Sequence, residues 1–98
     1  MSAPIPWQLE DHRDGERARF EVCGLYAFVG DADGDWSWWT ISKGRRGAKI
    51  AEGTVHGHDP YHFDAALQQA EAALRKIVAD RIADLRAGRA ALSTQSTP

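Results

Sequence analysis

Several features that mark particular protein classes are scarce or absent in this chain. Cys23 is the only cysteine among 98 residues, so no disulfide can form within the chain. No apolar run approaches the roughly 20 residues that a membrane-spanning helix needs. The 12 basic and 14 acidic side chains nearly cancel, which excludes a strongly basic nucleic-acid-binding protein but leaves room for a local basic patch. The sequence therefore predicts one small domain that depends on its apolar core.

The N-terminal residues bear on the compartment. Residues 1–6 contain no basic region followed by an apolar stretch, so we expect no secretory signal. A domain with a single cysteine suits a reducing environment, which favours a cytoplasmic location. We expect no membrane partner and no cofactor.

The first 56 residues alternate between strand-like and turn-like segments. Strands are expected at residues 6–11, 17–29, 36–42 and 49–56. Gly24 interrupts the alternation of apolar and polar residues in the second of these, and we interpret it as a β-bulge. The loops at residues 30–35 and 43–47 are rich in glycine and charged residues, which is typical of hairpin connections.

The rest of the chain predicts one long amphipathic helix. Asp59 is a good N-cap and Pro60 is tolerated at the first helical position, with Asp64 as the alternative cap. Apolar residues recur at spacings of three and four, at Phe63, Leu67, Ala70, Leu74, Ile77, Val78, Ile82 and Leu85. Gly88 is a natural helix stop, so residues 88–98 are predicted to form a flexible tail.

This order of elements indicates an α+β fold. Strands joined by hairpins form an antiparallel meander of three or four strands, and the long C-terminal helix packs on one face to give two layers. Residues 1–87 would form this single domain. The order resembles small antitoxin modules with a partial ribonuclease-H-like fold, and many short phage or mobile-element proteins. The proline-glycine-cysteine signature of those antitoxins is missing, and architecture alone implies no function.

The length of the helix predicts an interaction surface. A helix over residues 60–87 is about 42 Å long, whereas a strand of six to eight residues spans about 20–26 Å. The apolar stripe therefore continues beyond the sheet, at Val78, Ile82 and Leu85. A second chain would cover these residues, most simply in a homodimer. The alternative is that the first strand or the N-terminal segment, residues 5–7, folds back over them.

The tryptophans predict a second interaction surface, on the sheet. If Trp39 and Ile41 face the helix, their neighbours on the same strand face away from it. The residues expected on that open face are Trp36, Trp38, Tyr26 and Phe28. Such aromatic residues supply much contact area at low entropic cost. The alternative is that Trp7 and the first strand cover them.

A basic hairpin loop offers a different function. It contains Lys43, Arg45, Arg46 and Lys49. These cations could contact phosphates while aromatic residues on the nearby sheet stack on bases. The alternative is a solvated turn that keeps the molecule soluble.

Two other segments have the residue types of metal sites. His56, His58 and His62 flank Asp59, but no cysteine completes a structural zinc site, so a polar loop is the favoured interpretation. Residues 31–35 imitate the start of a calcium loop, but the twelfth position is a serine instead of glutamate. We therefore expect no metal. No serine lies in a nucleophile motif, so we also expect no catalytic activity.

The sequence thus favours a non-catalytic protein-binding domain of the accessory or inhibitor kind, and a phage-like or mobile-element origin is compatible with it. It would use the aromatic face for its partner and the helix for self-association. The alternative function is nucleic-acid binding through the basic loop.

Overall fold

The computed structural model describes residues 5–12, 15–32, 36–56 and 62–95. The elements in chain order are β1 (Gln8–His12), β2 (Gly15–Val22), β3 (Leu25–Ala32), β4 (Trp36–Ser42), β5 (Lys49–His56) and α1 (His62–Gln95). The strands form one antiparallel sheet in the order β1-β2-β3-β4-β5. The α+β class and the antiparallel meander are confirmed, but the expected strand number is wrong, because the sheet has five strands.

The additional strand arises at Gly24. Val22 pairs with Leu25, so Cys23 and Gly24 form a two-residue hairpin loop and not a bulge within one strand. Both loop residues have positive φ, 53° at Cys23 and 75° at Gly24. Positive φ at both central positions is typical of the type I′ turn, whose twist matches that of the flanking strands. The segment expected to be one strand is therefore two.

The core lies between α1 and one face of the sheet. Along β4, burial alternates so that Ser37, Trp39 and Ile41 are buried and their neighbours are half-buried. Small side chains on α1 let the helix approach the sheet closely. The buried apolar residues are Ala18, Leu25, Ala27, Val29, Trp39, Ile41, Phe63, Ala66, Ala70 and Leu74.

The helix covers only part of the sheet. It packs on β3, β4 and β5, whereas the side of β2 that faces the helix layer meets the N-terminal segment instead. There the Trp7 and Phe20 rings meet edge to face, with centroids 6.3 Å apart. The two-layer description therefore holds for three strands only. Trp7 also lies on the helix side, so it does not cover the opposite, aromatic face.

The helix is longer than expected and extends beyond the sheet. It continues through Gly88 to Gln95, so the predicted helix end is wrong. Its 34 residues correspond to about 51 Å, and the molecule is 63 Å along its longest axis. Leu74 is the last fully buried side chain, and every side chain described from Arg81 onward is exposed. In the described ranges, no helix is both long and apolar enough to cross a membrane.

Candidate functional site

The face of the sheet opposite α1 carries a row of aromatic side chains. Alternation along β3 and β4 directs the aromatic residues away from the helix, because their neighbours in sequence are the buried core positions. The four predicted residues, Tyr26, Phe28, Trp36 and Trp38, do share this face. Among the described residues, no helix or strand packs over them.

These rings form a continuous series with His56, which we call the aromatic ladder. Its order is Tyr26, Phe28, Trp38, Trp36 and His56. Successive ring centroids are 6.3, 6.2, 5.7 and 5.9 Å apart, and the first and last pairs are stacked with an interplanar angle of 21°. These separations are typical of favourable aromatic pairs. The tyrosine, the phenylalanine and the two tryptophans are half-buried and His56 is exposed, so the ladder is both supported by its neighbours and accessible.

Trp38, at the centre of the ladder, is held from two sides. Its indole ring lies over Gly30, the residue opposite it on β3. The Arg17 guanidinium carbon lies 5.0 Å from the indole centroid, within the range of a cation–π contact. Arg17 Nη1 in turn donates hydrogen bonds to the carbonyl oxygens of Asp31, at 2.8 Å, and Glu16, at 3.1 Å. Both the ring and its cation are therefore fixed in position.

A second arginine lies at the Tyr26 end of the ladder. The Arg45 guanidinium carbon lies 5.7 Å from the Tyr26 ring centroid, and its Nε donates to Glu21 Oε1 at 2.7 Å. This hydrogen bond and the charge of Glu21 raise the pKa of Arg45, so the side chain stays cationic at any ordinary pH. The pair is exposed, and the contact orients Arg45 more than it stabilises the fold.

The cations around the ladder are largely neutralised by carboxylates. Arg19 lies 3.0 Å from Glu10, and Lys49 lies 2.8 Å from Glu52. Of the four cations predicted to contact phosphate, Arg45 and Lys49 are therefore paired. Lys43 and Arg46 are exposed and make no ion pair with any residue that the structure describes. The basic loop is thus less positive than its sequence indicates.

A buried polar cluster that the sequence did not predict lies beneath the sheet. Ser37 Oγ is 2.6 Å from His62 Nδ1, and His62 Nε2 is 3.7 Å from Asp31 Oδ1. Ser37 and His62 are both buried, and Asp31 Oδ1 is buried without a hydrogen-bond partner among the described atoms. The three residues come from β4, α1 and β3, so only the register of the sheet and the docking of the helix bring them together.

The order of hydroxyl, imidazole and carboxylate is the one that activates a serine nucleophile. Ser37 has 0% exposure, however, so a substrate carbonyl has no approach to its hydroxyl. The geometry therefore corresponds to a polar network that anchors the first turn of α1 to β4. The hydrogen bond gives the buried hydroxyl and imidazole the partners that burial requires.

The histidines considered as metal ligands are dispersed. His56 stacks on Trp36 on the open face, whereas His62 is buried on the helix side of the same sheet. His58 lies outside the described residues, as does Asp59. Within the described part of the chain, no group of three or more His, Cys, Asp or Glu side chains is arranged to hold a metal ion.

The apolar stripe of α1 is covered only as far as the end of the sheet. Val78 is half-buried and packs against the core, whereas Ile82 is 44% exposed and Leu85 is 67% exposed. Of the N-terminal residues that the structure describes, Ile5 and Trp7 pack against the core, and Ile82 and Leu85 stay exposed. Leu92, which is 71% exposed, continues the stripe, but it fell beyond the predicted helix end at Gly88.

Comparison with protein-family models, with curated proteins and with solved structures finds no match to this chain.

Proposed function

We propose that this chain is a non-catalytic protein-binding domain of the accessory or inhibitor kind, which binds its partner through the aromatic ladder. The observation that supports this most is a continuous row of four half-buried aromatic rings on the face of the sheet that α1 leaves open. Binding hot spots are rich in tryptophan, tyrosine and arginine; the ladder contains the first two types, and Arg17 and Arg45 lie over its rings.

The ladder is suited to binding because its rings are already ordered. Each ring leans on the next, and Trp38 is further held by Gly30 and Arg17. A side chain that is fixed before binding loses little conformational entropy on binding, so more of its desolvation contributes to affinity. Arg17 at the centre of the ladder and Arg45 at its Tyr26 end would orient the partner.

The charge distribution favours a protein over a nucleic acid. Phosphate recognition depends on unneutralised cations, whose contacts release counterions. Here Arg19, Arg45 and Lys49 each contact a carboxylate, which would also repel a phosphate backbone. A protein surface with apolar and carbonyl groups meets no such repulsion.

The test is capture of a partner from the source cell by immobilised protein, compared across matched variants. The wild-type chain and the Leu9→Ala variant, which alters an exposed aliphatic residue outside the ladder, should retain the same protein. Trp38→Ala and Trp36→Ala should lose it while keeping the wild-type far-ultraviolet circular dichroism. Equal capture by all four proteins would contradict the proposal, and an unfolded Trp38→Ala spectrum would identify Trp38 as a core residue.

Nucleic-acid binding is the second candidate, because aromatic rings on an open sheet can stack on bases beside Lys43 and Arg46. A mobility-shift titration with single-stranded DNA and RNA at increasing salt tests it. We expect no complex at about 0.15 M salt. A complex whose affinity falls steeply with salt, and that Lys43→Ala weakens, would favour this second function.

A further inference from the structure

The end of α1 that extends beyond the sheet has the pattern of a helix-pairing surface. We call residues 79–95 the helix extension. Its large apolar side chains are Ile82, Leu85 and Leu92, which are 44%, 67% and 71% exposed. With Arg89 they follow spacings of three and four, the heptad spacing of helices that pack side by side. This surface has no cover from any residue that the structure describes.

The charges on the helix extension are separated along its length. Asp80 and Asp84 lie near its start, Arg86 lies one residue before its midpoint at Ala87, and Arg89 lies beyond the midpoint. Arg81, near the start, turns back to its own domain, where Nη1 donates to the Cys23 carbonyl oxygen at 2.9 Å. The start of the extension therefore presents two carboxylates, and its end presents the cation of Arg89.

We propose that a second copy of this chain binds the helix extension in antiparallel orientation, with the two-fold axis level with Ala87. The carboxylates of the second copy, Asp80 and Asp84, then face the end of the extension that carries Arg89 in the first copy. Ile82 lies level with Leu92 of the second copy, and Leu85 lies level with its Arg89. The Arg89 stem packs on Leu85 while its guanidinium reaches the neighbouring Asp84. If Ile82 and Arg89 are heptad positions a, and Leu85 and Leu92 are positions d, each a position meets a d position of the second copy, as in antiparallel coiled coils.

The charge pattern selects this orientation. A parallel pair would place Arg89 of one copy beside Arg89 of the other, and like charges in this position repel. Arg86, one residue from the two-fold axis, lies near its counterpart in either orientation and does not discriminate between them. An antiparallel pair replaces that repulsion with attraction between Asp84 and Arg89. This self-complementarity is also the reason for assigning a second copy, rather than an unrelated helix, to the surface.

The length of the extension fits the same arrangement. An overlap centred at Ala87 pairs residue 79 of one copy with residue 95 of the other, and spans about 25 Å. The two domains then lie at opposite ends of the helix pair and do not collide. The end of each helix arrives beside a groove at the edge of the other domain, lined in part by Leu25, Ile50 and Ile77. Ile50, which is 40% exposed, adds apolar surface there.

This dimer goes beyond the binding function proposed above and uses none of its residues. Both aromatic ladders stay uncovered, so the dimer would present two identical binding faces on one rigid axis. The contact is short compared with the interfaces of stable dimers, so the association is expected to be reversible, with a dissociation constant on the order of micromolar.

Sedimentation equilibrium of the full chain tests the proposal. The wild-type chain should show a monomer–dimer equilibrium. Leu85→Asp should weaken it at least tenfold, whereas Ala87→Asp, which puts the same charge on the opposite side of the helix, should change it less than about twofold. A chain that is monomeric at about 1 mM, or a dimer that both variants affect equally, would overturn the proposal. Trp38→Ala should dimerise normally. Loss of partner binding through the aromatic ladder can therefore be distinguished from loss of dimerisation.

Cross-linking tests the orientation. In a Cys23→Ser background, the double variant with Ile82→Cys and Leu92→Cys should form a covalent dimer on mild oxidation, because the paired positions are within disulfide distance. The single Ile82→Cys variant should not cross-link. Efficient cross-linking of the single variant would indicate parallel helices, and no cross-linking of the double variant would exclude the proposed register.

Discussion

The six-membered ring of Trp38 occupies the space that a β-carbon on Gly30 would need. The two residues face each other across β3 and β4, so the indole reaches over the neighbouring strand and meets Arg17 on β2. The position of the central ring of the ladder therefore depends on a residue that has no side chain. Glycine is required here for close approach and not for an unusual backbone conformation.

The first prediction concerns Gly30→Ala. The added methyl group overlaps the ring of Trp38, so the indole must lift away from the sheet and from Arg17. We expect the free energy of unfolding to fall by about 1–3 kcal/mol, as for other overpacked sites. Urea denaturation measures this loss. The near-ultraviolet circular dichroism of the tryptophans should change at the same time.

Gly88→Ala is the matched control for that substitution. Gly88 lies within α1, and apart from its chain neighbours and the backbone of the helix itself, no described atom is within 4 Å of the position of a β-carbon there. Alanine favours a helix over glycine by about 1 kcal/mol, so helix content should be unchanged or higher. If both variants lost stability to the same extent, steric overlap with Trp38 would not be the cause.

The strands that the sequence located well are those with clear boundaries. β4 and β5 match the predicted ranges 36–42 and 49–56, because loops rich in glycine and charge separate runs of β-branched and aromatic residues. The Cys23–Gly24 turn was missed because cysteine occupies a position where asparagine or aspartate would mark a type I′ turn. Residue-level propensity does not reveal such a turn, since it depends on the pairing of both strands.

The helix end was missed for a related reason. Glycine costs only about 1 kcal/mol within a helix, and alanine, arginine and leucine on both sides of Gly88 offset that cost. The residues of the aromatic face were predictable from alternation along β4. His56 joined the ladder only through its register with Trp36. The cluster of Ser37, His62 and Asp31 was not predictable, because both of its contacts involve His62 and depend on how α1 docks.

The second prediction concerns Ser37→Ala. The variant leaves the backbone of β4 intact but removes the hydroxyl that lies 2.6 Å from His62 Nδ1. A buried polar group that loses its hydrogen-bond partner costs about 1–3 kcal/mol, so we expect a loss of stability in that range. Ser42→Ala is the control, because its hydroxyl donates to the Gly44 carbonyl oxygen at the partly exposed end of the same strand. Its effect on the urea midpoint should be clearly smaller.

The third prediction concerns Arg17→Lys. Lysine keeps the charge but has no planar guanidinium to lie over Trp38 while it donates to the Asp31 carbonyl oxygen. We expect the loss of about 0.5–1 kcal/mol of stability and a shift in tryptophan fluorescence, because the indole becomes more solvated. Arg46→Lys, at an exposed loop position, should leave both properties unchanged. Identical fluorescence in Arg17→Lys and the wild-type chain would show that the guanidinium does not shield the ring.

The fourth prediction locates the point at which the sheet ceases to support α1. Leu74 is 2% exposed and Leu92 is 71% exposed, although both belong to the same apolar stripe of one helix. Leu74→Ala leaves a cavity in the core and should lower the free energy of unfolding by about 2–4 kcal/mol. Leu92→Ala removes a side chain that contributes nothing to the core of its own domain. At protein concentrations well below the micromolar range, it should therefore change the urea midpoint very little. A large loss from Leu92→Ala under these dilute conditions would mean that the isolated molecule already buries its helix extension, which contradicts the exposure of that stripe.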